Sequence, residues 1–61
     1  MVKRLKECIV GERVLVDCSM VQGYKGVNEV LVRSMDAGEI VVETDDGSRV
    51  GMDGYEKVQT L

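Results

Sequence analysis

Few side chains in this sequence could carry out chemistry. The chain of 61 residues contains no histidine, so the commonest general base and the commonest metal ligand are both missing. Its two cysteines, Cys8 and Cys18, form no Cys-x-x-Cys pair, and two thiols cannot supply the four ligands of a zinc site. Catalysis needs a positioned acid, base or nucleophile, and no spacing of Cys, Tyr, Lys or carboxylate singles one out. The sequence therefore predicts a protein that is not an enzyme and that holds no metal and no cofactor.

The two thiols could form one disulfide, but free and buried thiols are the interpretation that the sequence favours. Cys is among the most buried residue types, and a disulfide needs Cα atoms within about 7 Å of each other. The chain has no apolar run near the roughly 18 residues that span a bilayer. No signal-peptide core follows the basic start Met1–Lys6. We therefore expect a cytoplasmic protein with no membrane partner, in a compartment where thiols stay reduced.

Three carboxylates in the C-terminal third, Asp45, Asp46 and Asp53, are candidates for a cation site or for a phosphate mimic. A calcium site needs roughly six to eight oxygens from a defined loop, and no such loop pattern occurs here. Asp is also favoured in tight turns. Turn chemistry is the interpretation that the sequence favours.

The charge of the chain is uneven. The net charge of −3 divides into +3 from Lys3, Arg4 and Lys6 and −6 from the remaining residues. An acidic body disfavours close contact with phosphates, so a nucleic-acid partner is not expected. The alternative to a protein-binding function is a nucleic-acid-binding small barrel, which would use these three residues and Lys25.

Alternating β-branched residues predict strands over most of the chain. Residues 39–44 and 48–52 flank Asp46-Gly47, a strong hairpin signal because Gly supplies the positive φ that a tight turn needs. Residues 29–35 and 11–17 predict two further strands. The first ten residues are ambiguous: Val2, Leu5 and Ile9 have helical spacing without an N-cap, and a short strand or an extended arm fits equally well.

The order of these elements resembles the SH3-like small barrel shared by SH3, Tudor and KOW domains. A Gly-acidic-Arg-Val-x-Val opening at Gly11–Val16 leads to a long loop, a three-strand meander with an Asp-Gly turn, and a brief last strand at Tyr55–Val58. The resemblance implies an all-β, five-stranded SH3-like barrel over residues 11–61, preceded by an ambiguous N-terminal segment over residues 1–10.

The functions of those families do not follow from this resemblance. The chain has no Trp, no Phe and only two Tyr, which is too few aromatics for a proline-rich-ligand groove or a methyl-lysine cage. KOW domains imply basic loops, whereas these loops are acidic. Plasmid-type dihydrofolate reductase is also built of such barrels, but the similar motif Val21-Gln22-Gly23-Tyr24 lies here in the first loop. A fold can be shared while the function differs.

A second apolar face of the sheet is the strongest indication of function. If the alternating valines fill the core, then Leu15, Leu31, Met35 and Val41 point outward. A contiguous set of outward apolar residues favours a contact surface, unless the N-terminal segment covers it. Tyr24, in the loop Gly23–Gly26, and Tyr55 are further candidates for partner contacts, and a packed turn is the simpler explanation of Tyr24.

The sequence therefore predicts a small non-catalytic protein-binding module or accessory factor. It is expected to act by contact with another protein or with itself as a homo-oligomer. Small acidic chains of this kind are common in phages and mobile elements, which is an association and not an inference from the residues.

Overall fold

The computed structural model of the protein describes residues 1–19, 21, 23–36 and 38–61. Among these residues, six strands form one antiparallel sheet; 55% of them lie in strands and none in an α-helix. The prediction of an all-β protein is confirmed. The strands are β1 (Val2–Arg4), β2 (Arg13–Asp17), β3 (Val27–Asp36), β4 (Glu39–Thr44), β5 (Arg49–Met52) and β6 (Lys57–Thr60). In the part of the chain that the structure describes, no helix is long and apolar enough to cross a membrane.

The strand order in the sheet is β1-β6-β2-β3-β4-β5. The sheet is not closed, so β1 and β5 form its two edges. The ambiguous N-terminal segment supplies the additional strand, because Val2 and Arg4 pair with Gln59 and Lys57 of β6. The described residues therefore form six strands in place of the five that the sequence predicts.

The hairpin between β4 and β5 forms where the sequence predicts it. Gly47 has a φ of +86°, and its N–H donates to the Thr44 carbonyl at 3.0 Å. The Thr44 N–H donates to the Ser48 carbonyl at 2.9 Å and closes the loop. Because no described residue other than Gly has a positive φ, the left-handed step of this turn falls on Gly47 alone.

A register shift between Val32 and Ser34 changes the face that the end of β3 presents. After the shift Ser34 pairs with Val41 and Met35 pairs with Ile40. Ile40 is buried in the core, and Met35 packs against the core. The prediction that Met35 points outward is therefore wrong, because an irregularity in the strand breaks the strict alternation on which it relied.

The core lies on one face of the sheet and is filled mainly by valines. Four strands, β2, β3, β4 and β6, contribute its buried aliphatic residues: Val14, Val16, Val30, Val32, Ile40, Val42 and Val58. Both cysteines, Cys8 and Cys18, are free and buried beside them, as predicted.

The N-terminal segment supplies one further core residue. After β1 the chain makes a single 3₁₀ turn over Leu5–Glu7, and the Leu5 side chain is completely buried. The Leu5 N–H donates to the Glu56 carbonyl and the Lys6 N–H to the Gly54 carbonyl, each at 2.8 Å. Val2 and Ile9 stay exposed, so this segment contributes to the core and does not cover the outward face.

Candidate functional site

Tyr55 is an exposed aromatic residue that lines two surface depressions. The chain turns tightly between β5 and β6, where the Glu56 N–H donates to the Asp53 carbonyl at 3.1 Å. The Asp53 carboxylate accepts from the Tyr55 N–H at 2.8 Å. Asp53 therefore has the role in a turn that the sequence favours, and in this turn Tyr55 is 64% exposed to solvent.

Two depressions adjoin on either side of the Tyr55 ring. The larger, of about 390 Å³, lies between the β3–β4 turn and the turn before β6, and we call it the Tyr55 cleft. Its lining residues are Lys6, Met35, Asp36, Gly38, Glu39, Ile40, Asp53, Gly54 and Tyr55. The second, of about 360 Å³, is lined by Arg4, Asp53, Tyr55, Glu56 and Lys57. Since Tyr55 and Asp53 line both, the two form one continuous surface.

A lysine of the N-terminal segment lies on the Tyr55 ring. The Lys6 ammonium nitrogen is 4.2 Å from the ring centroid, within the range of a cation–π contact. The backbone bond from Lys6 to Gly54 holds the two segments together. A Cβ atom on Gly54 would lie 3.1 Å from the Lys6 Cβ, so the absence of a side chain there permits this close approach.

The Tyr55 cleft is acidic. Its lining residues include three acidic residues, Asp36, Glu39 and Asp53, against the single basic residue Lys6, which gives the lining a net charge of −2. Among the described residues, no ion pair within 4.0 Å joins any of these carboxylates to a Lys or Arg. The Glu39 carboxylate lies against Gly51 of β5, where a Cβ would approach it to 2.6 Å. The cleft thus combines an aromatic ring, unpaired negative charge and an apolar floor from Met35 and Ile40.

The predicted outward face is covered in part by charged side chains. Leu15, Leu31 and Val41 lie on it and are half-buried. Long charged side chains shield apolar neighbours by laying their stems along them. Ion pairs extend across this face: Arg13–Glu29 at 3.2 Å, Arg33–Glu43 at 3.5 Å and Arg49–Glu43 at 3.5 Å. The apolar residues of this face are therefore less available to a partner than the alternation suggests.

One end of the outward face is more open. Val2 and Val27 are exposed there, and with Leu15 they line a shallow depression of about 190 Å³. The exposed apolar part of the outward face thus lies towards β1. Of the four residues predicted to point outward, only Leu15 lines this depression.

The second tyrosine, Tyr24, is used inside the fold. Its hydroxyl lies 3.1 Å from Thr44 Oγ1 and donates to the Asp46 carboxylate at 3.1 Å, which ties the loop before β3 to the β4–β5 hairpin. Hydrogen bonds from the Thr44 hydroxyl and the Ser48 backbone N–H lower the pKa of Asp46 to about 2. Thr44 and Glu39 are opposite ends of β4, so the structure does not bring Tyr24 and Tyr55 together.

The four basic residues proposed for nucleic acid do not all face one groove: Arg4 and Lys6 adjoin Tyr55, whereas Lys3 and Lys25 line neither depression. The Lys3 ammonium pairs with Glu12 at 2.7 Å, a bond that raises the pKa of Lys3 and lowers that of Glu12. The Arg4 guanidinium donates to the Tyr55 carbonyl at 2.8 Å, and Lys6 lies on the Tyr55 ring. Lys25 is exposed in the loop before β3. Three of the four thus have contacts within the chain.

The thiols are placed where they react poorly. Burial raises the pKa of Cys8 and of Cys18, and the thiolate is the nucleophilic form of cysteine. In the part of the chain that the structure describes, no group of three or more Cys, Asp or Glu residues has the arrangement of a metal site.

No protein-family model, curated protein or solved structure matches this chain.

Proposed function

We propose that this chain is a small non-catalytic protein-binding module and that a segment of another protein binds across Tyr55. The observation that carries the proposal is a tyrosine residue, 64% exposed, that lines two adjoining depressions of about 390 and 360 Å³. Aromatic side chains are enriched in protein interfaces, and Tyr is among the residues that most often dominate binding energy.

We also propose that the sheet is a variant of the SH3-like small barrel. Strands β2 to β6 follow one another along the chain in the order that the resemblance implies, with a meander from β3 to β5 and a tight turn before β6. The pairing of β2 with β6 brings together the first and last of these five strands and supports the proposal. In this interpretation β1 is an addition outside β6, and the 3₁₀ turn that follows it places Leu5 in the core.

A protein partner suits this surface better than a nucleic acid. Phosphate binding needs several cations that face the same groove. In the described residues the Tyr55 cleft has a net charge of −2, and Arg4 and Lys6 have contacts within the chain. The negative field of the remaining chain also opposes approach of a polyanion.

The test is a selection from a random peptide library displayed on phage, with the immobilised protein as bait. Enriched peptides are then titrated into ¹⁵N-labelled protein, and amide shifts are mapped. We expect shifts at Lys6, Glu39, Ile40 and the turn 53–57. Tyr55→Ala should weaken binding by about tenfold or more, since truncation of an interface tyrosine typically costs above 1 kcal/mol. Tyr55→Phe should keep most of the affinity.

The matched control is Ile9→Ala, which removes an exposed apolar side chain outside the site. It should leave peptide binding unchanged. Failure to enrich any peptide contradicts the proposal, and so do shifts confined to the outward face around Leu15 and Leu31. Sedimentation of the free protein separates self-association at Tyr55 from binding of another chain.

A further inference from the structure

The Tyr55 cleft has the chemistry of a site for a positively charged side chain. We propose that the segment bound across Tyr55 is basic, and that a Lys or Arg of the partner enters the cleft and takes the position of Lys6 on the ring. This inference rests on the proposed function and names the chemistry of the partner at the same site.

The contact of Lys6 with Tyr55 shows that the ring accepts a cation in this cleft. The ammonium lies 4.2 Å from the ring centroid, and the Lys6 side chain is exposed. An exposed cation–π contact is weak, so a competing cation can replace it. Arginine is the stronger competitor, because its planar guanidinium stacks on an aromatic ring and presents several N–H donors at once.

The carboxylates around the ring provide more negative charge than Lys6 neutralises. Asp36 and Glu39 come from the β3–β4 turn and the start of β4, and Asp53 comes from the opposite side of the cleft. A guanidinium in the cleft could form the charge-assisted, two-pronged bonds that Arg makes with a carboxylate. No described lysine or arginine forms an ion pair with these three groups.

The floor of the cleft suits the aliphatic part of such a side chain. Ile40 is buried and Met35 packs against the core, and both line the cleft. Lys and Arg carry three or four methylene groups that pack on apolar surface while the charged end stays in a polar setting. A cleft with an apolar floor and charged walls therefore matches these two residue types better than it matches a free inorganic ion.

The charge of the whole chain favours the same partner. Outside its first six residues the chain carries −6, and a field of this sign raises the rate at which a basic segment arrives. Added salt should therefore slow association with such a segment.

The experiment uses three short capped peptides that share their apolar residues and carry Arg, Gln or Glu at the charged positions. Fluorescence anisotropy measures their binding to the full chain at low and near-physiological salt. We expect the Arg peptide to bind at least tenfold more tightly than the Gln peptide and the Glu peptide not to bind. Added salt should weaken binding of the Arg peptide and leave binding of the Gln peptide nearly unchanged.

Variants of the chain test the individual contacts. Asp36→Asn and Glu39→Gln should each lower the affinity for the Arg peptide several-fold. The matched control is Asp45→Asn, which removes the same charge from an exposed position at the other end of β4. Lys6→Met removes the competing cation and should raise the affinity for the Arg peptide several-fold. Thermal melts establish that each variant is folded before its affinity is compared.

The outcomes separate this inference from the proposed function. If the Gln peptide binds at Tyr55 as tightly as the Arg peptide, the chain is a binding module but its partner is not basic. If Lys6→Met weakens binding of the Arg peptide, the proposal that a cation of the partner replaces Lys6 on the ring is wrong. If Asp45→Asn weakens it as much as Asp36→Asn does, only the overall charge matters and the cleft does not hold the cation. If no peptide binds and the library yields none, the proposed function itself fails.

Discussion

Replacement of Leu5 by Ala should destabilise the protein severely, although Leu5 belongs to a segment that the sequence leaves ambiguous. The side chain is completely buried among the core valines. Truncation of a buried Leu to Ala costs about 2–5 kcal/mol, the loss of transfer free energy together with the cavity that remains. A domain of 61 residues is stable by only about 3–9 kcal/mol at the usual stability per residue. The substitution therefore removes a large fraction of the total.

The measurement is urea denaturation followed by far-UV circular dichroism, since the chain has no tryptophan for fluorescence. For a small protein the stability falls by roughly 1 kcal/mol for each molar increase in urea, so the midpoint should fall by about 2 M or more. The slope should stay the same, because the backbone bonds of Leu5 and Lys6 to the turn before β6 do not need the Leu5 side chain.

Ile9→Ala is the control. Ile9 is also an aliphatic residue of the N-terminal segment, but it is 70% exposed, so its truncation should change the stability by less than about 0.5 kcal/mol. A Leu5→Ala variant as stable as wild type refutes the reasoning, because it means that residues 1–10 are a separable arm. Equal losses at Leu5 and Ile9 refute it as well, since burial then does not decide the cost.

Four further outcomes follow from the described geometry. Gly47→Val should cost more than about 1 kcal/mol in urea denaturation because Gly47 has a φ of +86°, and Gly47→Asn should cost less because Asn tolerates this region. The folded-state pKa of Asp46 is about 2, below its ordinary value of 3.8, so its stabilising contribution is present above about pH 4 and is lost as the pH falls towards 2; Asp46→Asn should flatten this part of the stability profile. Cys8 and Cys18 should react with a thiol reagent far more slowly in the native protein than in denaturant, and one fast thiol would show that its burial is wrong. Duplex DNA should not bind more tightly than about 1 µM at near-physiological salt, and a tighter anisotropy titration would revive a nucleic-acid function.

The features that the sequence predicts correctly depend on neighbouring residues. The β4–β5 hairpin follows from Asp46-Gly47 between two alternating segments, and the core valines follow from the same alternation. These signals are local, because the turn and the strands that it joins lie within a few residues of one another. The same locality explains the error at Met35, since a register shift at Val32 is not visible in a pattern of apolar residues.

The candidate site depends on contacts between distant parts of the chain. Tyr55 stands out in the sequence as an aromatic residue in a turn, but Lys6 reaches it only because the 3₁₀ turn at Leu5–Glu7 packs beside Gly54. Periodicity gives no information on which strand the N-terminal segment joins, and the same residues fit a helix, a strand or an arm. The acidic residues that line the Tyr55 cleft are also distant in the chain: Asp36 and Glu39 flank the β3–β4 turn, whereas Asp53 precedes β6.

The position of β6 determines when this protein can fold during its synthesis. β6 contains the last-made strand residues, Lys57–Thr60, yet it lies between β1 and β2 and pairs with both. A nascent chain that ends before Lys57 therefore has no partner for β1, and one edge of β2 is unpaired. The Leu5 N–H also has no acceptor until Glu56 has been made, because it donates to the Glu56 carbonyl. The sheet therefore cannot be completed until β6 has left the ribosome, and a nascent chain without β6 would present an open strand edge to other chains.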